Sequence, residues 1–63
     1  MNKPIKGQLW SNVKNLDLYE ITDVNDEFIF YEFTDYNTGE KRESFATHKG
    51  WMDKVISENL ENQ

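Results

Sequence analysis

The side chains in this chain that could do chemistry are mainly carboxylates, and they are concentrated in its central part. Residues 15–40 contain eight acids and no base: Asp17, Glu20, Asp23, Asp26, Glu27, Glu32, Asp35 and Glu40. Carboxylates two residues apart on a strand lie about 6.6–6.8 Å apart, which is comparable to the spacing of successive phosphates in a nucleic acid. The pattern predicts a surface that imitates a DNA backbone or otherwise binds a basic protein surface. The alternative is that these acids only keep a small sheet soluble and block pairing at its edges.

Other chemistry is poorly supported by the residue types present. The chain has one histidine, His48, and no cysteine, and the spacing of Ser11, Ser44 and Ser57 gives no sign of an acyl-transfer site around it. We expect His48 to lie exposed at a helix start. A chain this short has little volume left for a pocket of about 300 Å³ once its core is filled. The sequence therefore predicts a protein that is not an enzyme and has no cofactor.

Two acidic segments, 23–27 and 35–39, offer oxygen atoms at spacings that partly suit calcium. The first has Phe28 where a calcium-binding loop needs glycine, and Thr34 where it needs a bidentate glutamate. The second has Gly39 one position early and Ala46 at the twelfth position. Turn formation explains both segments, so no metal site is expected.

Length and charge narrow the class of protein. The 63 residues form one small domain, 1–63, and the absence of cysteine means that packing, or packing plus a partner, must stabilise it. Twelve acids against seven bases give a net charge of −5, which argues against nucleic acid or a membrane as the main partner. The chain has neither a signal-peptide pattern nor a long apolar run, so we expect a cytoplasmic location.

The elements that must position these side chains are a sheet over about 7–45 and a helix over about 48–59. Alternation of apolar and polar residues, with turn residues between, predicts strands over 7–10, 16–24, 27–34 and 40–45. Thr47 is suited to cap the helix, and the last three residues are expected to fray. The spacing predicts one apolar helix stripe that packs on the sheet, formed by Trp51, Met52, Val55, Ile56 and Leu60. The fold class is therefore α+β, a bent antiparallel meander of three to four strands with one C-terminal amphipathic helix.

Besides the acidic stretch, the segment 27–34 is informative because it is apolar on both faces. If the helix covers Ile29, Tyr31 and Phe33, then Phe28 and Phe30 need a separate cover. One interpretation is that Trp10 and the first strand curve over them. The other is an apolar patch, rimmed by Glu20, Glu32 and Glu43, that contacts another chain, either a target protein or a second copy in a homodimer. Trp10 and Trp51 are interpreted as core rings rather than as ligand platforms.

Several residues along the chain together match a pattern found in a known protein family. They are Gly7 and Trp10, a polar turn, Tyr19-x-Ile21-x-Asp23, an aromatic strand, a Thr38-Gly39 turn, and Phe45 before the helix. Over most of its length the chain resembles the small SH3-like barrel proteins that bacteria and their phages encode as stand-alone chains. The resemblance implies a strongly bent meander and no catalytic site. It departs from the family at the end, where a helix replaces the usual fifth strand. The abundance of Asn, Lys, Ile and Glu is typical of AT-rich genomes, including many phages.

The function predicted from these features is that of a non-enzymatic, acidic interaction protein. A phage is one source that the resemblance and the composition suggest. It binds a basic site on another protein, as a DNA mimic or inhibitor does, and so modulates that protein. The residues predicted to contact the partner are acidic, Glu20, Glu32, Asp35 and Glu43, and aromatic, Phe28 and Phe30. The alternative is a homo-oligomeric assembly component. A third option is nucleic-acid binding through bases gathered on one edge: Lys3, Lys6, Lys14, Lys41 and Arg42.

Overall fold

The computed structural model describes residues 4–14 and 16–63, and these residues form five strands and one helix. In chain order the elements are β1 (Leu9–Asn12), β2 (Leu18–Val24), β3 (Phe28–Thr34), β4 (Lys41–Thr47), α1 (His48–Ser57) and β5 (Leu60–Asn62). All neighbouring strands are antiparallel, and their order across the sheet is β4-β3-β2-β1-β5. The predicted α+β class, an antiparallel sheet with a C-terminal helix, is confirmed. The predicted count of three to four strands is wrong, because the chain end adds a fifth.

The two turns that frame β3 form as their residue types predict. The Asn25 side-chain oxygen accepts the backbone N–H groups of Glu27 and Phe28 at 2.8 and 2.7 Å, which closes the turn between β2 and β3. Between β3 and β4, Gly39 has φ +73°, a conformation that a residue without a Cβ adopts readily. These turns fix how β3 pairs with its neighbours on both sides.

The helix start is confirmed, but its end lies earlier than predicted. The Thr47 hydroxyl accepts the Gly50 N–H at 3.0 Å, as a capping residue does. The helix stops at Ser57, and Asn59 then turns the chain with φ +57°. Leu60 is consequently a buried residue of β5 and not part of the helix stripe.

The end of the chain is paired rather than frayed. Residues Leu60–Asn62 pair with β1, and the Gln63 N–H donates to the Leu9 carbonyl at 2.7 Å. Because α1 carries the chain across one face of the sheet, β5 joins the edge opposite β4. The sheet is therefore open, and the closed SH3-like barrel that the resemblance implies is not confirmed.

The core lies between α1 and one face of the sheet. It consists of seven buried side chains: Trp10, Tyr19, Ile21, Ile29, Tyr31, Trp51 and Leu60. Trp51 is 1% exposed, and its ring meets that of Trp10 edge to face with the centroids 5.9 Å apart. The prediction that both tryptophans are core rings is confirmed. Ile56 is 71% exposed, so its assignment to the buried helix stripe is wrong.

Among residues 4–14 and 16–63, no helix reaches the length and apolarity that crossing a membrane requires.

Candidate binding face

The candidate site is the face of the sheet that α1 does not cover, which we call the open face. Side chains alternate between the two faces of a strand, so Ile29 and Tyr31 of β3 face the core while Phe28, Phe30 and Glu32 face the other way. One ten-residue helix covers only one face of a five-stranded sheet. The open face therefore presents whatever the sequence placed at alternate positions.

Three aromatic rings meet on the open face and form what we call the phenylalanine cluster: Phe28, Phe30 and Phe45. The ring centroids lie 6.2 Å apart for Phe28 and Phe30, 5.4 Å for Phe28 and Phe45, and 6.0 Å for Phe30 and Phe45. Phe30 and Phe45 are directly opposite each other in the pairing of β3 with β4. Phe45 is 60% exposed, so the cluster offers aromatic surface to a partner.

The first strand does not cover these rings. Trp10 is opposite Tyr19 in the pairing of β1 with β2, and it packs on Trp51 on the helix side. The interpretation that Trp10 and β1 curve over Phe28 and Phe30 is therefore wrong. The two phenylalanines instead contact each other and Phe45, half-buried by their own cluster.

Beside the phenylalanine cluster, three glutamates line up across neighbouring strands and form what we call the glutamate row: Glu20, Glu32 and Glu43. Glu20 is directly opposite Glu32, and Glu32 is directly opposite Glu43. Directly opposite residues have Cβ atoms about 4.5–5.5 Å apart, and like charges there destabilise the sheet. The two ion pairs found among the described residues, Arg42–Glu40 and Lys54–Glu58, leave all three carboxylates unpaired.

A β-bulge brings a further acid to the open face. The pairing of β2 with β3 shifts between Ile21 and Asp23, so that Asp23 is opposite Phe30. The phenylalanine cluster thus has the glutamate row on one side and Asp23 on another. The expected spacing of two acids at i and i+2 is absent from the strands that the structure describes, so the acids align across strands rather than along one.

Asp35 is the one predicted contact residue that does not belong to the open face. It lies in the turn after β3, where its carboxylate accepts the backbone N–H groups of Asn37 and Thr38 at 2.8 and 3.3 Å. Its side chain is thus occupied in shaping the turn. The structure brings together the other five predicted residues, in the two groups described above.

Sequence reasoning missed Phe45 and Asp23 as residues of this face. Phe45 could have been found by counting pairs outward from the glycine turn, because Thr34 opposite Lys41 places Phe30 opposite Phe45. A register one residue different would have put Phe45 on the helix side. No signal in the sequence identifies the bulge that places Asp23.

The helix side carries a polar cluster of a different kind, formed by Tyr19, Lys54 and Glu58. The Tyr19 hydroxyl and the Lys54 ammonium both donate to Glu58, each at 2.8 Å, and the ammonium lies 5.2 Å from the centre of the Tyr19 ring. Burial and the neighbouring Glu58 carboxylate raise the pKa of Tyr19. Burial acts to raise the pKa of Glu58, but hydrogen bonds from Lys54 and Tyr19 and the Lys54 charge outweigh it, and that pKa is lowered. The cluster anchors the helix end to β2.

The described residues form clefts on the helix side. One, of about 340 Å³, is larger than we expected for so short a chain, and its lining is mostly apolar: Trp10, Trp51, Met52, Val55, Ile56, Glu61 and Asn62. Among the described residues of that lining, Glu61 is the one titratable side chain. Another, of about 240 Å³, lies over Tyr19, Tyr31 and Phe33 and includes Arg42 and Lys54, each of which is already in an ion pair.

The remaining candidate residues are dispersed. His48 is exposed, as expected, and its ring nitrogen contacts the Asn25 carbonyl at 2.7 Å, which joins the helix start to the β2–β3 turn. Across the part of the chain that the structure describes, no three histidine, aspartate or glutamate side chains are arranged to hold a metal ion.

The bases considered for nucleic-acid binding do not gather on one edge. Lys6 and Lys14 flank β1, whereas Lys41 and Arg42 belong to β4 at the far side of the sheet. Lys3 lies outside the described residues.

No family model matches the chain, and neither the curated proteins nor the solved structures include one that matches it. The function therefore has to be argued from the open face itself.

Proposed function

We propose that this protein is a non-enzymatic binding protein whose open face binds a basic site on another protein and so modulates it. The observation that carries the proposal is the position of the phenylalanine cluster directly beside the glutamate row. A partner that buries the rings also brings its own side chains next to three unpaired carboxylates. Lysine or arginine side chains are the complementary groups for that environment.

The energetics of the free sheet support the same conclusion. Glu32 has a like charge on both sides, and such pairs contribute nothing favourable to folding. A basic side chain placed over the row relieves this repulsion, so part of the binding free energy comes from the free protein's own unfavourable charge arrangement. We expect the association to be fast and to weaken as salt increases, because exposed charges dominate it.

The test compares two triple variants that have the same net charge. Glu20→Gln, Glu32→Gln and Glu43→Gln together remove the glutamate row. The control variant carries Asp26→Asn, Glu27→Gln and Asp53→Asn, which are exposed acids in the β2–β3 turn and on the helix. Each protein is immobilised and exposed to an array of peptides that combine lysine or arginine with aromatic residues, at low and at high salt.

We expect the wild type and the control variant to retain the same bound peptides at low salt and the row variant to lose them. Equal losses in both variants would show that net charge alone attracts the peptides, and the proposal would be withdrawn. The same applies if the wild type binds no basic peptide.

The second candidate function is a homo-oligomeric assembly component, and the exposure of Phe45 favours it, because two copies can bury their phenylalanine clusters against each other. Light scattering coupled to size exclusion distinguishes the two functions. A dimer that persists from low to high salt supports the assembly function, and a monomer supports binding to another protein.

A further inference from the structure

Strand β4 forms one edge of the sheet, and within residues 4–14 and 16–63 no other strand pairs with its outer side. Its first five residues, 41–45, are all exposed. An edge strand has a row of N–H and C=O groups on its outer side that no neighbouring strand pairs. The opposite edge differs, because β5 has only three residues and includes a buried leucine. An exposed edge strand is a template on which an extended segment can add as a further strand.

The residues of β4 on the open face are the end members of the rows described above. Glu43 ends the glutamate row, and Phe45 ends the cross-strand pair with Phe30. A strand added antiparallel to β4 continues both rows, with one of its residues opposite Phe45 and another, two positions later, opposite Glu43. A further two positions along it meets Lys41, which shares the same face.

We infer that the β4 edge binds an extended segment of another protein with the pattern apolar-x-basic-x-acidic, read in the N-to-C direction of that segment. Each side chain is matched by its register position: the apolar one extends the phenylalanine cluster, the basic one faces Glu43, and the acidic one faces Lys41. Main-chain hydrogen bonds to β4 provide the rest of the attachment. This inference rests on the proposed function and adds to it the mode of binding and the kind of partner.

A second copy of the chain is a weaker occupant of the same edge. Each copy has a net charge of −5, so pairing two edges brings two acidic faces side by side. Lys41 and Arg42 also guard one end of β4 against self-pairing, as charged residues on edge strands do. The inferred segment meets neither obstacle, because its basic residue faces Glu43 and its acidic residue faces Lys41.

The probe is a nine-residue peptide in which valine, phenylalanine, arginine and glutamate alternate in that order with threonine. Two further peptides carry N-methyl groups on alternate amides, one in each of the two possible frames. Alternate amides of a strand point to the same side, so only one frame places its methyl groups between the peptide and β4. Binding is measured by calorimetry, and amide exchange of the protein is followed by NMR.

We expect one N-methylated frame to lose affinity by about tenfold or more and the other to bind like the parent peptide. Amides of β4 become protected in the complex. If both frames bind like the parent, the peptide lies on the open face without joining the sheet. That result overturns the inference and leaves the proposed function intact.

Two pairs of variants test the register. Glu43→Gln weakens binding by about two- to fivefold, while Glu27→Gln in the β2–β3 turn does not. Phe45→Ala weakens binding by about tenfold, while removal of another exposed ring, Tyr36→Ala, does not. A peptide that reads arginine before phenylalanine binds less tightly than the parent.

If Glu43→Gln and Phe45→Ala leave affinity unchanged, the register is wrong and the inference fails. It fails equally if light scattering finds a dimer whose β4 amides are protected without peptide. If the parent peptide binds but the loss of the whole glutamate row has no effect, the proposed function itself fails.

Discussion

Replacing Glu32 by Gln is expected to stabilise the free protein, because Glu32 is the middle member of the glutamate row. It has Glu20 directly opposite on β2 and Glu43 directly opposite on β4. Two charges about 5–7 Å apart in water repel by about 0.6–0.8 kcal/mol before screening. Screening at 0.1 M salt, where the Debye length is about 10 Å, reduces this to about 0.3–0.5 kcal/mol for each neighbour.

With two neighbours, the expected gain is about 0.6–1 kcal/mol in the free energy of unfolding, within the usual range for cross-strand pairs. For a domain of this size the melting temperature rises by about 2–8 °C. Glutamine has nearly the shape of glutamate, so the packing of the half-buried side chain is preserved. Glu20→Gln removes one neighbour instead of two, and about half the gain is expected.

The assay is urea unfolding followed by tryptophan fluorescence and by circular dichroism, at 0.1 M and at 1 M salt. Glu27→Gln is the matched control, because it makes the same charge change at an exposed position in the β2–β3 turn. At 1 M salt the Debye length falls to about 3 Å, and the gain of Glu32→Gln over the control should nearly disappear. If the free energy of unfolding of Glu32→Gln at low salt is equal to or lower than that of Glu27→Gln, the repulsion inferred from the register does not exist.

The same substitution should act in the opposite direction on binding. It removes a carboxylate that faces the partner, so affinity for a basic peptide falls while stability rises. The loss of affinity is the part of this result that identifies the glutamate row as a binding feature, since a row that only solubilises the sheet would give the gain in stability with no loss of affinity beyond that of Glu27→Gln.

Three further predictions concern the core, the polar cluster on the helix side and the β3–β4 turn. Trp51→Ala removes the ring that is 1% exposed and contacts Trp10, and a loss of about 3–5 kcal/mol should leave the protein largely unfolded by circular dichroism. The pKa of Glu58 is lowered in the folded state, so its contribution to stability is present above its unfolded pKa and is lost as pH falls through the folded value. In urea titrations at several pH values, Glu58→Gln should therefore lose less stability on the acid side than the wild type does. Gly39→Ala meets no atom within 4 Å but must adopt φ +73°, so thermal unfolding should show a loss of about 0.5–1 kcal/mol without a change in structure, and an unchanged melting temperature would contradict the turn geometry.

The local features of this protein could be predicted from its sequence. Asn25 and Thr47 accept backbone N–H groups three residues further along, and Gly39 adopts a positive φ that suits glycine. These residue types are therefore enough to place two turns and a helix start. The two-faced character of β3 also follows from alternation alone. Phe28, Phe30 and Glu32 share the open face for that reason. Glu20 and Glu43 join them through the pairing of β3 with β2 and β4, whereas Asp35 was assigned by its charge and lies in a turn.

The pairing of strands that are distant in the chain decided the features that the sequence did not predict. Whether Phe45 faces the open side depends on a register that one residue would reverse, and Asp23 reaches the same face through a bulge. Leu60 continues the helical spacing in the sequence, yet it lies in β5 and pairs with Asn12 of β1. The reason is that the helix ends early, after crossing the sheet. The sequence by itself determined the turns, the cap and the alternation, because these depend on neighbouring residues. The tertiary structure decided which acids and rings meet on one open face, because that depends on how strands distant in the chain align.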